Sequence, residues 1–224
     1  KDDGVELHTG RGDSPEWYSD LPYPLNTPVA WVDSGAGQDA TGEDERGHRQ
    51  YVNVHEVKLV LRLLQRLASN GTVERLRSEA NGSLHPIGVI TMYRAQKSLL
   101  EKELSKAEWA APIRSFIRID TVDSYQGQEN PFIILSLVRD NPSEDQGFMW
   151  DPARINVSLS RAQERLIVVG AARMWQRRNT KGPLGRVVRF ISDRCAEADD
   201  RYTISRDLSE FTISQDREGV AQHG

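Results

Sequence analysis

Cysteine is almost missing from this chain, and so are the usual phosphate-holding motifs. Cys195 is the only cysteine in 224 residues, which excludes an internal disulfide and a multi-cysteine zinc site and suits a reducing compartment. No G-x-x-x-x-G-K-[ST] loop occurs, and no expected strand ends in Asp-Glu to hold magnesium. Long apolar runs are absent too. Phe132–Leu135 and Leu166–Gly170 fall far short of the roughly 20 residues that cross a bilayer, and no signal peptide is visible. The expectation is an intracellular protein, cytoplasmic or nuclear, with no membrane partner and no metal ligands of its own. The chain begins at Lys1 rather than Met, and we read it as a piece of a longer protein.

What is present is ordinary for a globular fold: 38% hydrophobic and 28% charged residues. The net charge of −4 hides an asymmetry. Residues 151–190 hold nine Arg/Lys against two Asp/Glu, while residues 1–50 hold four against eleven. The basic stretch fits a phosphate-facing surface, although solvated helix faces explain it equally well. A pI near 5.8 argues against a dedicated high-affinity nucleic-acid module.

Apolar periodicity gives an order of elements. Residues 1–28 are polar and irregular, 29–198 form the folded domain, and 199–224 make a polar tail, partly disordered. Val29–Asp33 reads as a strand and Ser34–Arg49 as a mobile loop. Asn53 with Glu56 matches a capping box. Val54, Val57, Val60, Leu61, Leu64 and Leu67 then mark a helical face that ends at Asn70-Gly71. Residues 71–84 read as a loop or short helix. Next come a strand at Ile87–Thr91, a helix at Arg94–Lys106, and strands at Phe116–Val122 and Pro131–Val138. A helix at Asp151–Ala162, a strand at Leu166–Val169 and a helix at Gly185–Ala196 follow. Strands alternating with helices specify an α/β fold with a parallel sheet covered on both faces.

Two segments carry chemistry. Thr121-Val122-Asp123-Ser124-Tyr125-Gln126-Gly127-Gln128-Glu129 follows a strand, at the carboxyl edge where open parallel sheets bind ligands. Thr121 and Ser124 offer hydroxyls, Gly127 lets a backbone amide approach a phosphate, Gln126 hydrogen-bonds without charge, and Glu129 suits a ribose hydroxyl. Arg154-Ile155-Asn156-Val157-Ser158-Leu159-Ser160-Arg161-Ala162 and Arg165 follow. Arg154 and Arg161 lie two helical turns apart and share a face. A guanidinium at that helix end suits a γ-phosphate.

Together these segments resemble motifs V and VI of superfamily 1B helicases, the group that includes the nonsense-mediated-decay helicases and their DNA-processing relatives. Ile87-Gly88-Val89-Ile90-Thr91-Met92-Tyr93-Arg94-Ala95-Gln96 is similar to a third motif of that family. The resemblance covers residues 25–178. It implies the second RecA-like domain of such a motor: a P-loop NTPase type of mostly parallel sheet that lacks its own P-loop. By the resemblance, Arg161 is the arginine finger and Gln126 the side chain nearest the γ-phosphate. Gly127, Glu129 and Arg165 face the nucleotide, with Glu129 at the ribose. Thr91, Tyr93, Thr121 and Ser124 face the nucleic-acid backbone. Met92 stands where the family has proline, Gln163 where many members have a second arginine, and Asn130-Pro131 where a more charged pair is usual.

The resemblance further implies ATP and Mg2+, bound mainly by a first RecA-like domain of the same protein. It implies single-stranded RNA or DNA as partner, a monomer, and movement from 5′ to 3′. This half alone is then expected to be inactive as an ATPase. A translocase that does not unwind, and a scaffold that kept the fold without turnover, remain alternatives.

Overall fold

The computed structural model describes residues 15–35, 39–43, 49–68, 71–79, 85–125, 127–143, 145–176 and 182–205. Six strands form one parallel sheet: β1 (Val29–Asp33), β4 (Ile87–Thr91), β5 (Ile117–Thr121), β6 (Asn130–Ser136), β7 (Ala162–Gly170) and β8 (Tyr202–Ser205). Their order is β5-β4-β6-β7-β1-β8, and every pairing is parallel. A separate antiparallel hairpin joins β2 (Ala40–Glu43) to β3 (Arg49–Val52).

Side chains alternate across the central strands, and each face has its own core. On one face Val89, Ile134, Ile167 and Val169 join Leu59, Val60, Leu63 and Leu64 of α1 (Val54–Leu67) and Leu100 of α3 (Arg94–Lys106). On the other, Ile90, Ile133, Leu135 and Val168 meet Ile155 of α4 (Pro152–Leu159), Trp175 of α5 (Ala172–Gln176) and Val188 of α6 (Pro183–Ala196). Each fully buried aliphatic contributes about 1.5–3 kcal/mol relative to exposure. Covering both faces is why β6 reads as an unbroken apolar run. Residues 72–79 form a short helix, α2. This is an α/β, RecA-like architecture of mostly parallel sheet and flanking helices.

Several expectations change. Part of the expected loop at 34–49 pairs as β2 and β3, because Tyr51 packs against the core and anchors the hairpin. Its residues 36–38 and 44–48 lie outside the described set. The segment assigned to an irregular extension supplies Tyr18, Leu21 and Leu25 to the core. The tail contributes β8, whose four residues pair with β1. The fourth helix stops at Leu159 and β7 begins at Ala162, four residues earlier than apolarity alone suggests, because the strand's first residues are polar. On α1 the buried stripe includes Leu59 and Leu63, while Val54 is exposed and Leu61 half-buried. Among the described residues no helix is long and apolar enough to cross a membrane.

Candidate functional site

The segment between β5 and β6 runs from one edge of the sheet to the other. Thr121 closes β5 at the carboxyl edge. A 3-10 turn, Asp123–Tyr125, then leads the chain across the sheet. The Tyr125 ring lies over Gly88, where a Cβ would collide with its hydroxyl. That hydroxyl donates to the Asn130 side chain, which in turn donates to the His85 carbonyl. Gly127 turns the chain at φ +78°, a left-handed conformation that glycine adopts without strain. Gln128 and Glu129 therefore arrive at the amino edge, where Asn130 pairs with Ala162. Gln126 lies outside the described residues.

Helix α4 makes the same crossing. The Asp151 carboxylate caps it by accepting from Ala153 N at 2.9 Å, with Pro152 at the first turn, where its missing N–H is no loss. Arg154, near the start, pairs with Asp123 at 3.2 Å. Arg161 emerges at the far end, and its carbonyl accepts from Asn130 N at 3.0 Å. The shared face of Arg154 and Arg161 is thus divided between the two sheet edges.

Arg161 is half-buried. Its Nε donates to Val157 O at 3.0 Å, Nη2 to Ser160 Oγ at 2.9 Å and Nη1 to Gln128 O at 3.4 Å. All three acceptors are neutral, and among the described residues no ion pair to Arg161 is present. The guanidinium covers carbonyls at a helix carboxyl terminus, where the dipole favours a cation. Nearby, Gln163 Nε2 reaches Glu129 Oε2 at 3.5 Å, so the glutamine at the second-arginine position faces the expected ribose carboxylate. Arg161, Gly127 and Glu129 therefore share the amino edge. The expectation that the whole Thr121–Glu129 segment serves the carboxyl edge is corrected: its two ends serve opposite edges.

Arg165 does not join this group. It is buried with its guanidinium 4.5 Å from the Tyr18 ring centroid, and burial is the main influence lowering its pKa. An amino-terminal segment not expected to be folded covers it.

At the carboxyl edge Thr121 Oγ1 donates to Ser124 Oγ at 3.2 Å, leaving both residues at least partly open to solvent. Beside them Asp120 bonds Lys97 at 2.9 Å and Arg118 at 3.0 Å. Burial raises the Asp120 pKa, and these hydrogen bonds outweigh it, so the carboxyl titrates below its usual range. Thr91 and Tyr93 depart from expectation. The Thr91 hydroxyl is buried without a hydrogen-bond partner among the described residues. Tyr93 is buried between Tyr51 and Phe148, with ring centroids 5.0 and 5.7 Å away, and burial pushes its hydroxyl up to about 12. Neither side chain is presented to a strand in this conformation.

A buried polar network beneath this edge extends the expected cap at Asn53. Asn53 Oδ1 does accept from Glu56 N at 3.1 Å. The return bond of a capping box is absent, because Gln96 Oε1 takes Asn53 N at 2.8 Å. The Glu56 carboxylate instead accepts from Ser136 Oγ at 2.7 Å and Val138 N at 2.9 Å. Asn53 Nδ2 donates to Val138 O at 3.1 Å. These bonds hold Val138 at φ +72°, a strained conformation for a β-branched residue. Gln96, the glutamine of the Ile87–Gln96 motif, thus ties α3 to α1 and β6. A buried Glu three residues after a cap was the available signal.

Among the described residues no group of three or more His, Cys, Asp or Glu is placed to hold a metal ion.

A family model described as an AAA domain matches residues 5–173. The chain belongs to this family. Two of the three similar proteins that follow are helicases by name. "Helicase required for RNAi-mediated heterochromatin assembly 1" of Schizosaccharomyces pombe is 36% identical over 132 residues, 59% of this chain and 12% of that protein. "Probable helicase senataxin" of Homo sapiens is 32% identical over 134 residues, 59% of this chain and 5% of that protein. "Regulator of nonsense transcripts 1" of Caenorhabditis elegans is 30% identical over 164 residues, 72% of this chain and 14% of that protein. This AAA domain therefore spans a small fraction of the relatives it matches.

Proposed function

We propose that this AAA domain is the second, carboxyl-terminal RecA-like half of an ATP-driven nucleic-acid helicase motor. Its amino edge faces ATP held by a first RecA-like domain of the same protein, and its carboxyl edge faces single-stranded nucleic acid. Arg161 is the arginine finger. The observation that carries this reading is its guanidinium, half-exposed and bonded, among the described residues, only to Val157 O, Gln128 O and Ser160 Oγ. Neutral acceptors hold a cation far less tightly than a carboxylate, so a γ-phosphate displaces them on closure. The finger then offsets charge on the transferring phosphoryl group. Gly127 and Glu129 stand on the same edge to meet the nucleotide, and Gln126 belongs to the same turn in sequence. Thr121 and Ser124 contact phosphates, which carry no sequence information, so binding is sequence-tolerant. Alone, this half supplies a finger without a cradle and does not hydrolyse ATP.

The two edges separate the functions, and that separation is the test. In the longer protein, Thr121→Ala with Ser124→Ala should weaken single-strand affinity and leave nucleotide affinity in the absence of nucleic acid unchanged. Arg161→Ala should abolish stimulated turnover and leave single-strand affinity within about twofold. Loss of strand binding in the Arg161 variant, with no loss in the Thr121/Ser124 variant, would reverse the assignment.

A further inference from the structure

Two of the largest exposed apolar side chains stand together, in a stretch the nucleotide site does not use. Phe148 is 54% exposed and Trp150 59%. Both belong to the 3-10 turn Gly147–Trp150 that leads into α4. They line a cavity of about 450 Å³ with Arg154 on one side and Arg186, one turn into α6, on the other. The Arg154 guanidinium lies 4.9 Å from the Phe148 ring centroid. Trp150 has no ring or cation contact among the described residues. Tyr93 supports Phe148 from beneath, at 5.7 Å between centroids.

Charge at the cavity points to an anion. Arg186 sits near the amino end of a 14-residue helix whose first turn holds no acidic residue. Its charge therefore adds to the positive end of the dipole, an arrangement relieved by a bound anion. Among the described residues Asp151 is the one acidic residue lining the cavity, and its carboxylate is engaged in capping α4. The cavity also continues the carboxyl edge. Arg154 pairs with Asp123 at 3.2 Å, next to Ser124 in the same turn.

We propose that Phe148 and Trp150 form a base-stacking platform for single-stranded nucleic acid leaving the Thr121/Ser124 edge, with Arg186 taking a backbone phosphate. Exposed rings flanked by arginines accept any base, because every base presents a π-face, while the phosphate contact makes binding salt-dependent. This deepens the reading of the carboxyl edge as a strand-binding surface and rests on it.

The test measures binding of 12-nucleotide oligo-uridine and oligo-thymidine to the longer protein, beside an abasic strand of equal length. Phe148→Ala and Trp150→Ala should each weaken binding of the base-bearing strands roughly fivefold to a hundredfold and leave the abasic strand unchanged. Trp150→Phe should restore most of the affinity, which separates stacking from misfolding. Arg186→Ala should weaken both strand types and lower the salt slope by about one. Wild-type binding that the two ring substitutions leave unaltered overturns the platform and assigns the rings to a protein surface. Absence of any wild-type strand binding overturns the underlying reading instead.

Discussion

Glu56 gives the most exacting test of the packing beneath the site. It is wholly buried, with one carboxylate oxygen accepting from Ser136 Oγ and Val138 N and the other without a partner. Burial outweighs those bonds and raises its pKa from an ordinary 4.5 to about 8. Between these values the folded chain keeps a proton that the unfolded chain releases. Stability from this group is therefore complete below about pH 4.5, falls as pH rises, and levels off above about pH 8. At about 1.4 kcal/mol per pH unit, the whole window is on the order of 5 kcal/mol. Glu56→Gln removes the titration and keeps the shape. Its amide leaves one buried donor group poorly placed, a cost of roughly 1–3 kcal/mol that does not vary with pH. Urea unfolding of both proteins at pH 5, 6, 7 and 8 checks this. The wild type should lose stability relative to Glu56→Gln at every step. Parallel pH profiles would refute a buried, protonated Glu56.

Other substitutions probe single contacts. Gly88→Ala should destabilise by about 1–3 kcal/mol by displacing Tyr125 and Ile133, and Tyr125→Phe should recover part of that in thermal melts because the tighter of the two clashes is with the hydroxyl. Gly127→Ala should lose about 1 kcal/mol from its left-handed backbone alone. Arg165→Ala should lower the melting temperature through lost packing on Tyr18 yet leave the nucleotide KM of the longer protein unchanged. A raised KM would return Arg165 to the nucleotide site.

The parallel sheet was legible because β4, β6 and β7 are buried on both faces and so read as apolar runs bounded by helical periodicity. The short strands β2, β3 and β8 were not, since four polar or half-buried residues carry little period and are fixed by partners distant in sequence. Arg161 and Glu129 were named from their motifs and the family resemblance, and the structure brings them to one edge. Thr121 and Ser124 stand at the expected carboxyl edge, while the arrival of Glu129 at the other edge depends on how the chain crosses the sheet at Tyr125, which no local pattern encodes. Arg165, Thr91 and Tyr93 looked available because a sequence does not show what covers a residue. Here Tyr18, Tyr51 and the loop bearing Phe148 do. Glu56 looked like a cap because its true partners, Ser136 and Val138, are some 80 residues away.

In the proposed motor, Arg161 acts on a nucleotide bound mainly elsewhere. Nucleic-acid-stimulated ATPase of the longer protein, wild type against Arg161→Ala, tests it most directly when nucleotide affinity is measured alongside. If Arg161 is the finger, kcat falls by roughly 10³–10⁵ with nucleotide affinity largely retained. Turnover equal to wild type would contradict it and leave Arg161 as no more than the cap on α4 and the Gln128 turn.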